Sequence, residues 1–505
     1  MIVRTFILLD SMFCRLIFQG TADGEGTAAS FWEETEMKYR STLLASAAVG
    51  GILCGSVAAG AETTLTFVWH AGTCADAIVE IARDYPDKSV TIVPALVPYG
   101  PEWHNKIASE FAIQGDAFDF AMWDSQSTAE FAGGGHAVKI NEIFANSSYL
   151  KADIFPASSL SQYGEYPDGS GEFYGLPVNQ DAYGMMYRKD LFENPEEQAA
   201  FKAKYGRDLR VPETYQEARE VAEFFTRPDE GLYGWGQMGG RDYDFATTAS
   251  NSYLWSFGGE LYNPETMEVL GYLNSPASIA GVQAYVDMFQ FGPPGSGNWG
   301  YDEVNASFQQ GQLAMAMQWF YFNGSNADPA VNKFAESTEF GILPGAIGSD
   351  GKFRRQFSVG GQGMGINKYS QKLPELVKFM EWYFQPEQQK RYAAVCQTGL
   401  KAVLESPDWQ DLNSYNAQFS EALAYLNDYW HLPEYPVLLD ILQEEVSNAV
   451  AGTKTVEAAL TDAATRQERT LERAGHKIDR KGNAPEVPDT IISPVGVDEV
   501  VPVNN

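Results

Sequence analysis

The sequence predicts an α/β fold in which a mostly parallel sheet carries helices on both faces. Three observations lead there. Short β-rich runs alternate with segments of helical spacing from Thr64 onward, the pattern that builds such sheets. The length of 505 residues suits two large domains or three ordinary ones. A composition of 44% hydrophobic and 20% charged residues supports a sizeable core and excludes both a disordered chain and a polytopic membrane protein.

Taken in order, the chain first offers a targeting segment. From Met37, the basic pair Lys38 and Arg40 leads into an apolar run that ends at the small-residue site Ala59-Gly60-Ala61, which predicts a signal peptide over 37–61. Residues 1–36 then read as an upstream mis-start. Export implies the periplasm. Only Cys74 and Cys396 follow the cleavage site, and in an oxidising compartment they form either one disulfide or two separate buried thiols.

Next, Thr64 to Trp69 reads as a strand, Cys74 to Tyr85 as a helix and Val90 to Pro94 as a second strand. Trp103 to Gln114 is helical, and Phe118 to Trp123 is a third strand. In such sheets ligands sit at the carboxyl ends of strands, where Trp69, His70, Trp123 and Asp124 fall. A β-like run extends from Phe173 to Tyr187. Helices are expected over 211–225, 245–257, 278–289, 301–310, 373–385, 386–394, 416–429, 437–450 and 456–473. Residues 475–505 lack periodicity and read as a disordered C-terminal tail.

The charge balance narrows the function. Lys plus Arg total 35 against 67 Asp plus Glu, a net charge of −32, and such a surface repels phosphate backbones. Nucleic acid is therefore excluded as a partner. No HExxH, CxxC or GxSxG occurs, and the run Gly360 to Gly365 lacks the GxGxxG spacing. No catalytic group, metal site or cofactor is read. What the chain holds in excess is rings beside amides and carboxylates: Trp69-His70, Trp123-Asp124-Ser125-Gln126, Asn179-Gln180-Asp181 and Trp319-Phe320-Tyr321-Phe322. Rings stack on the C–H faces of a sugar while Asp, Asn and Gln bind its hydroxyls.

Six ordered motifs then carry a resemblance: Asp119-Phe120-Ala121-Met122-Trp123, Tyr174-Gly175-Leu176-Pro177, Met186 to Phe192, Pro212 to Ala218, Phe308 to Met315 and Thr455 to Leu460. Together they resemble the extracellular solute-binding proteins of carbohydrate ABC transporters, the group that includes maltose-binding protein. The resemblance implies a two-lobed periplasmic-binding-protein fold of type II. Lobe 1 would take 62–180 with a return over 345–400, and lobe 2 would take 181–344 with 401–474, joined by a hinge. Both cysteines would then lie in lobe 1.

It also implies a periplasmic sugar, polyol or oligosaccharide receptor, a monomer and not an enzyme, which closes on its ligand and delivers it to ABC transporter permease subunits. Rival readings are a secreted carbohydrate-active enzyme and a same-fold receptor for a non-sugar solute such as a polyamine. The residues carried over are Trp123 as a stacking ring, Asp124 and Gln126 in its loop, Asp181 as a hydroxyl acceptor, Trp319 as the second lobe's ring, and Gly361 with Gln362 at a close backbone approach. Trp69, His70, Asp244 and Asn251 complete the candidate set.

Overall fold

The computed structural model describes residues 62–480 of the chain, so the targeting segment, its processing site and residues 481–505 lie outside the described residues. The strand–helix–strand start is present as β1 (Thr63–His70), α1 (Thr73–Ala82) and β2 (Val90–Val97), followed by α2 (Pro101–Ala112) and β3 (Phe120–Asp124). Further strands are β4 (Gly175–Arg188), β5 (Tyr233–Gly236), β6 (Leu313–Trp319), β7 (Thr338–Ile342), β8 (Phe357–Ile366) and the short β9 (Leu426–Asn427).

One sheet runs through the molecule in the order β2-β1-β3-β8-β4-β6-β5, with β7 also on β4 and β9 on β8. Its outer pairings β1–β2, β1–β3 and β5–β6 are parallel, as crossover helices require. The long strand β8 runs antiparallel to its neighbours β3 and β4, and β4 runs antiparallel to β6.

These two strands pass between two hydrophobic cores. The first core gathers Leu65, Ile78, Phe120, Val178, Met364 and Phe379. The second gathers Met185, Trp235, Leu254, Met315, Val359 and Leu460. Ala346, Phe357 and Val359 pack in the second core and Met364 in the first, so the return expected from 345 begins near 360, where β8 crosses.

Caps fix several helices. Thr214 accepts from Glu217 N at the start of Tyr215–Phe225, and Thr455 from Ala458 N at the start of Val456–Ala474. The helix expected over 416–429 ends at Ala422, because the chain turns to pair β9 with β8. The segment 193–210 contains an unforeseen helix, Pro195–Tyr205, capped by Asn194. Residues 476–480, expected to belong to the tail, make defined contacts. His476 Nε2 meets a Glu434 carboxylate oxygen at 3.2 Å, Asp479 N donates to Thr266 O, and Arg480 pairs with Glu468.

Cys74 and Cys396 are joined by a disulfide with Cα atoms 5.7 Å apart. Both belong to the first core, so the bond staples α1 to the segment after helix Pro386–Tyr392 within one lobe.

Candidate functional site

Strand register brings the polar residues together. Gln362 of β8 lies opposite Asp124 of β3 on one side and Asn179 of β4 on the other, and Gly360 lies opposite Asp181. Two residues further along β4, Tyr183 faces Trp319 of β6. Because side chains alternate along a strand, Asn179, Asp181 and Tyr183 share one face. A cavity of about 240 Å³ opens there, between the two lobes.

Seven of the eleven ligand-binding candidates line it: His70, Asp124, Asp181, Asp244, Trp319, Gly361 and Gln362. Tyr99, Asn179, Tyr301, Asp302, Tyr321, Phe322 and Tyr429 join them. Asn179, Tyr321 and Phe322 stand inside ring-and-amide runs visible in the sequence. Tyr99, Tyr301 and Tyr429 carried no such signal, since each enters through a lobe contact or a turn of the chain.

Four candidates fall elsewhere. Trp123 is 1% exposed, packs against Phe111 and Phe131, and donates its Nε1 to Thr128 Oγ1 at 3.0 Å. It precedes Asp124 by one residue, so alternation sends its ring into the first core while the carboxyl turns to the cavity. Trp69 and His70 repeat the arrangement: Trp69 is fully buried in the first core and His70 lines the cavity. Gln126 stands behind the wall and donates to Asp244 Oδ2 at 3.2 Å. Asn251 is buried within the helix Phe245–Ser256, with its Oδ1 unpartnered.

Trp319 does present a ring. One face stacks on Tyr183 with centroids 3.7 Å apart, and a Cβ at Gly360 would come within 2.4 Å of its indole. Gly361 has φ +89°, and a Cβ there would meet Asn179 O at 2.1 Å. The glycine pair is thus required by the protein's own packing before any ligand enters.

The lobes touch across the cavity. Tyr243 Oη donates to Asp124 Oδ2 at 3.0 Å, the Gln126–Asp244 bond crosses the same seam, and Tyr99 packs edge-on against Tyr243 and Tyr301. Burial lifts the carboxyls of Asp124, Asp181 and Asp244 above the usual range, and repulsion from Asp124 adds to the rise at Asp244. Burial also lowers His70 to about 4, so its ring is neutral. Asp181 Oδ1 accepts from the backbone N–H groups of Ala182 and Tyr321, which ties β4 to the loop after Trp319. Neutral hydroxyls and flat C–H faces suit such a chamber, which offers acceptors, rings and few donors.

Comparison with known proteins adds a lineage. A sequence model of the family described as bacterial extracellular solute-binding protein matches residues 73–390. A mannitol-binding protein of Pseudomonas aeruginosa is 26% identical over 255 residues, 49% of this chain and 52% of that protein, so the match spans about half the relative's length. A probable amino-acid ABC transporter periplasmic-binding protein of Sinorhizobium fredii is 22% identical over 80% of this chain and 88% of its own. The ribitol complex of an Agrobacterium radiobacter ABC transporter solute-binding protein superposes with a TM-score of 0.69 at 23% identity, covering 81% of this chain and 98% of that one. That likeness establishes the two-lobed fold.

Proposed function

Because this chain belongs to the bacterial extracellular solute-binding proteins, we propose that it is an exported receptor for a small sugar or polyol. It holds the ligand in the interlobe cavity and passes it intact to the permease of an ABC importer. The observation that carries this reading is the chamber itself. About 240 Å³ between the lobes combines the Trp319 ring with Asp124, Asp181, Asn179 and Gln362 in register. That volume is below the range of drug-sized pockets and suits a single sugar unit. The mannitol and ribitol labels of the two relatives point the same way. Lobe closure around ligand would be a hinge transition driven by tighter binding to the closed form. Residues 37–61 supply the export signal, and the receptor works as a monomer.

Two rival readings meet the same site. An α-amino acid, as the name of the Sinorhizobium relative would suggest, brings a carboxylate, and no Lys or Arg among the described residues lines the cavity. A glycosidase needs one protonated and one ionised carboxyl with their pKa values driven apart. Here burial moves Asp124 and Asp244 in the same direction. A thermal-shift screen over pentitols, hexitols, mono- and disaccharides tests the proposal. A rise in melting temperature with one small polyhydroxy compound, recovered unchanged, is expected. Hydrolysis of the compound, or stabilisation by amino acids alone, overturns it.

A further inference from the structure

The cavity is unbalanced in charge. Among the described residues, four carboxyls line it, from Asp124, Asp181, Asp244 and Asp302, and no Lys or Arg does. A second cavity of about 320 Å³ adjoins it across Tyr99, Tyr301 and Asp302, and its wall adds Glu102, Asp242 and Glu303, again without a cationic side chain. In their ionised form, acidic groups in low-dielectric walls focus a negative potential along this path and raise the local concentration of cations.

The inner polar groups are also short of donors in their surroundings. Asp124, Asp181 and Asp244 are each only 6–7% exposed. The hydrogen bonds to Asp124 from Tyr243 and to Asp244 from Gln126 each use one carboxylate oxygen, and those to Asp181 from Ala182 and Tyr321 share one. His70, 8% exposed, has Nδ1 3.2 Å from Ala71 O, which leaves Nε2 as an acceptor with no hydrogen bond among the described residues. These groups face the cavity, and a cationic donor that reaches them there forms a stronger bond than a neutral one.

We infer that the ligand is a polyhydroxylated molecule carrying a protonated amine, an amino sugar or amino alditol, whose ammonium sits between Asp124 and Asp244. The assignment rests on the sugar or polyol reading and narrows it. The ammonium would supply donors to both carboxyls, favour their ionised form and offset the repulsion between them. Trp319 and Tyr321 would cover the carbon skeleton. Gln362 sets this class apart from simple polyamines. Its Oε1 accepts from Asn179 at 2.9 Å, and its Nε2 is left to donate to an oxygen that a polyamine lacks.

The test is calorimetry at pH 7 on matched pairs: glucamine and D-glucitol, D-glucosamine and D-glucose, D-galactosamine and D-galactose, D-mannosamine and D-mannose. In at least one pair the amine is expected to bind about tenfold more tightly than its neutral partner, the scale of one charge-assisted contact. N-acetylation of that amine should remove the gain. Asp244→Asn should shrink the amine-to-neutral ratio about fivefold, and Asp302→Asn, at an exposed position, about twofold. If the neutral member binds equally or more tightly in every pair that binds, the inference fails while the sugar or polyol reading stands. A ratio unchanged in both variants overturns the placement of the ammonium. Binding of no amine and no neutral compound overturns both readings.

Discussion

The two walls of the cleft treat tryptophan in opposite ways. On the first-lobe side Trp69 and Trp123 end up in the core and their neighbours His70 and Asp124 reach the cavity. On the second-lobe side Trp319 itself lines the cavity, backed by Tyr183 and fitted against Gly360. The difference comes from what covers each strand. β3 and the end of β1 are buried, so the large ring turns into the core while its polar neighbour turns to the cavity. At the end of β6 the ring lies over Tyr183 of the adjacent strand β4 and reaches Gly360 of β8, one strand beyond, where only a glycine leaves it room. A tryptophan beside a polar residue at a strand end therefore marks the cavity without saying which of the two lines it.

The largest expected effect separates the two kinds of ring. Trp123→Ala should cost about 3–5 kcal/mol of unfolding free energy, since it empties a close-packed core position. Affinity per folded molecule should be nearly unchanged. Urea unfolding paired with calorimetry reads both, and a large loss of affinity at unchanged stability would return Trp123 to the ligand wall. The next effect concerns the first lobe's staple. Replacing Cys74 and Cys396 by serine should destabilise by about 2–4 kcal/mol, again without altering affinity, because both residues lie in one core. A change in affinity would mean that the bond couples to closure. Trp319→Ala should show the reverse pattern, weakening ligand binding by about 1.5–3 kcal/mol, roughly ten- to a hundredfold, with the smaller loss of stability. Equal effects from Trp123→Ala and Trp319→Ala on both measurements would erase the contrast between the walls.

How much of this the sequence disclosed depended on the local chemistry of each segment. The opening strand–helix–strand was legible from periodicity alone, within a few residues at each boundary. β8 was not. Its run Gly360-Gly361-Gln362-Gly363-Met364-Gly365 has weak strand propensity, and it is a strand because its neighbours press on it from both sides. A Cβ at Gly365 would fall 1.5 Å from the Trp123 ring, and one at Gly363 would fall 2.5 Å from Tyr163 O. Tertiary packing decides such a segment. At the cavity, Asp181, Trp319 and Gln362 stand in motifs that single them out in the sequence. Trp123 was misplaced because β3 is buried along its whole length, so no polar alternation distinguishes its two faces. Tyr99 and Tyr429 come from loops and Tyr301 from a helix start, where one-dimensional patterns carry little.

The smallest effect tests the acids that both lobes contribute. Carboxyls raised by burial, as at Asp124, Asp181 and Asp244, retain protons in the folded state that the unfolded chain has released above about pH 4. Stability from these groups is thus greatest at low pH and falls as pH rises toward the folded-state value, with a slope of up to about 1.4 kcal/mol per pH unit for each proton retained. His70 acts oppositely. Its folded value near 4 lies below the ordinary 6.5, so its contribution improves as pH rises through that window. The two trends partly cancel in the wild-type protein, and Asp124→Asn should separate them. Between pH 5 and 7, the stability of the unliganded wild type relative to this variant should fall with increasing pH. Saturating ligand should flatten that difference, because hydrogen bonds to the carboxylates favour their ionised form. A difference that stays level without ligand would mean that Asp124 is already ionised in the empty cleft, and that the first-lobe wall meets its ligand as a charge.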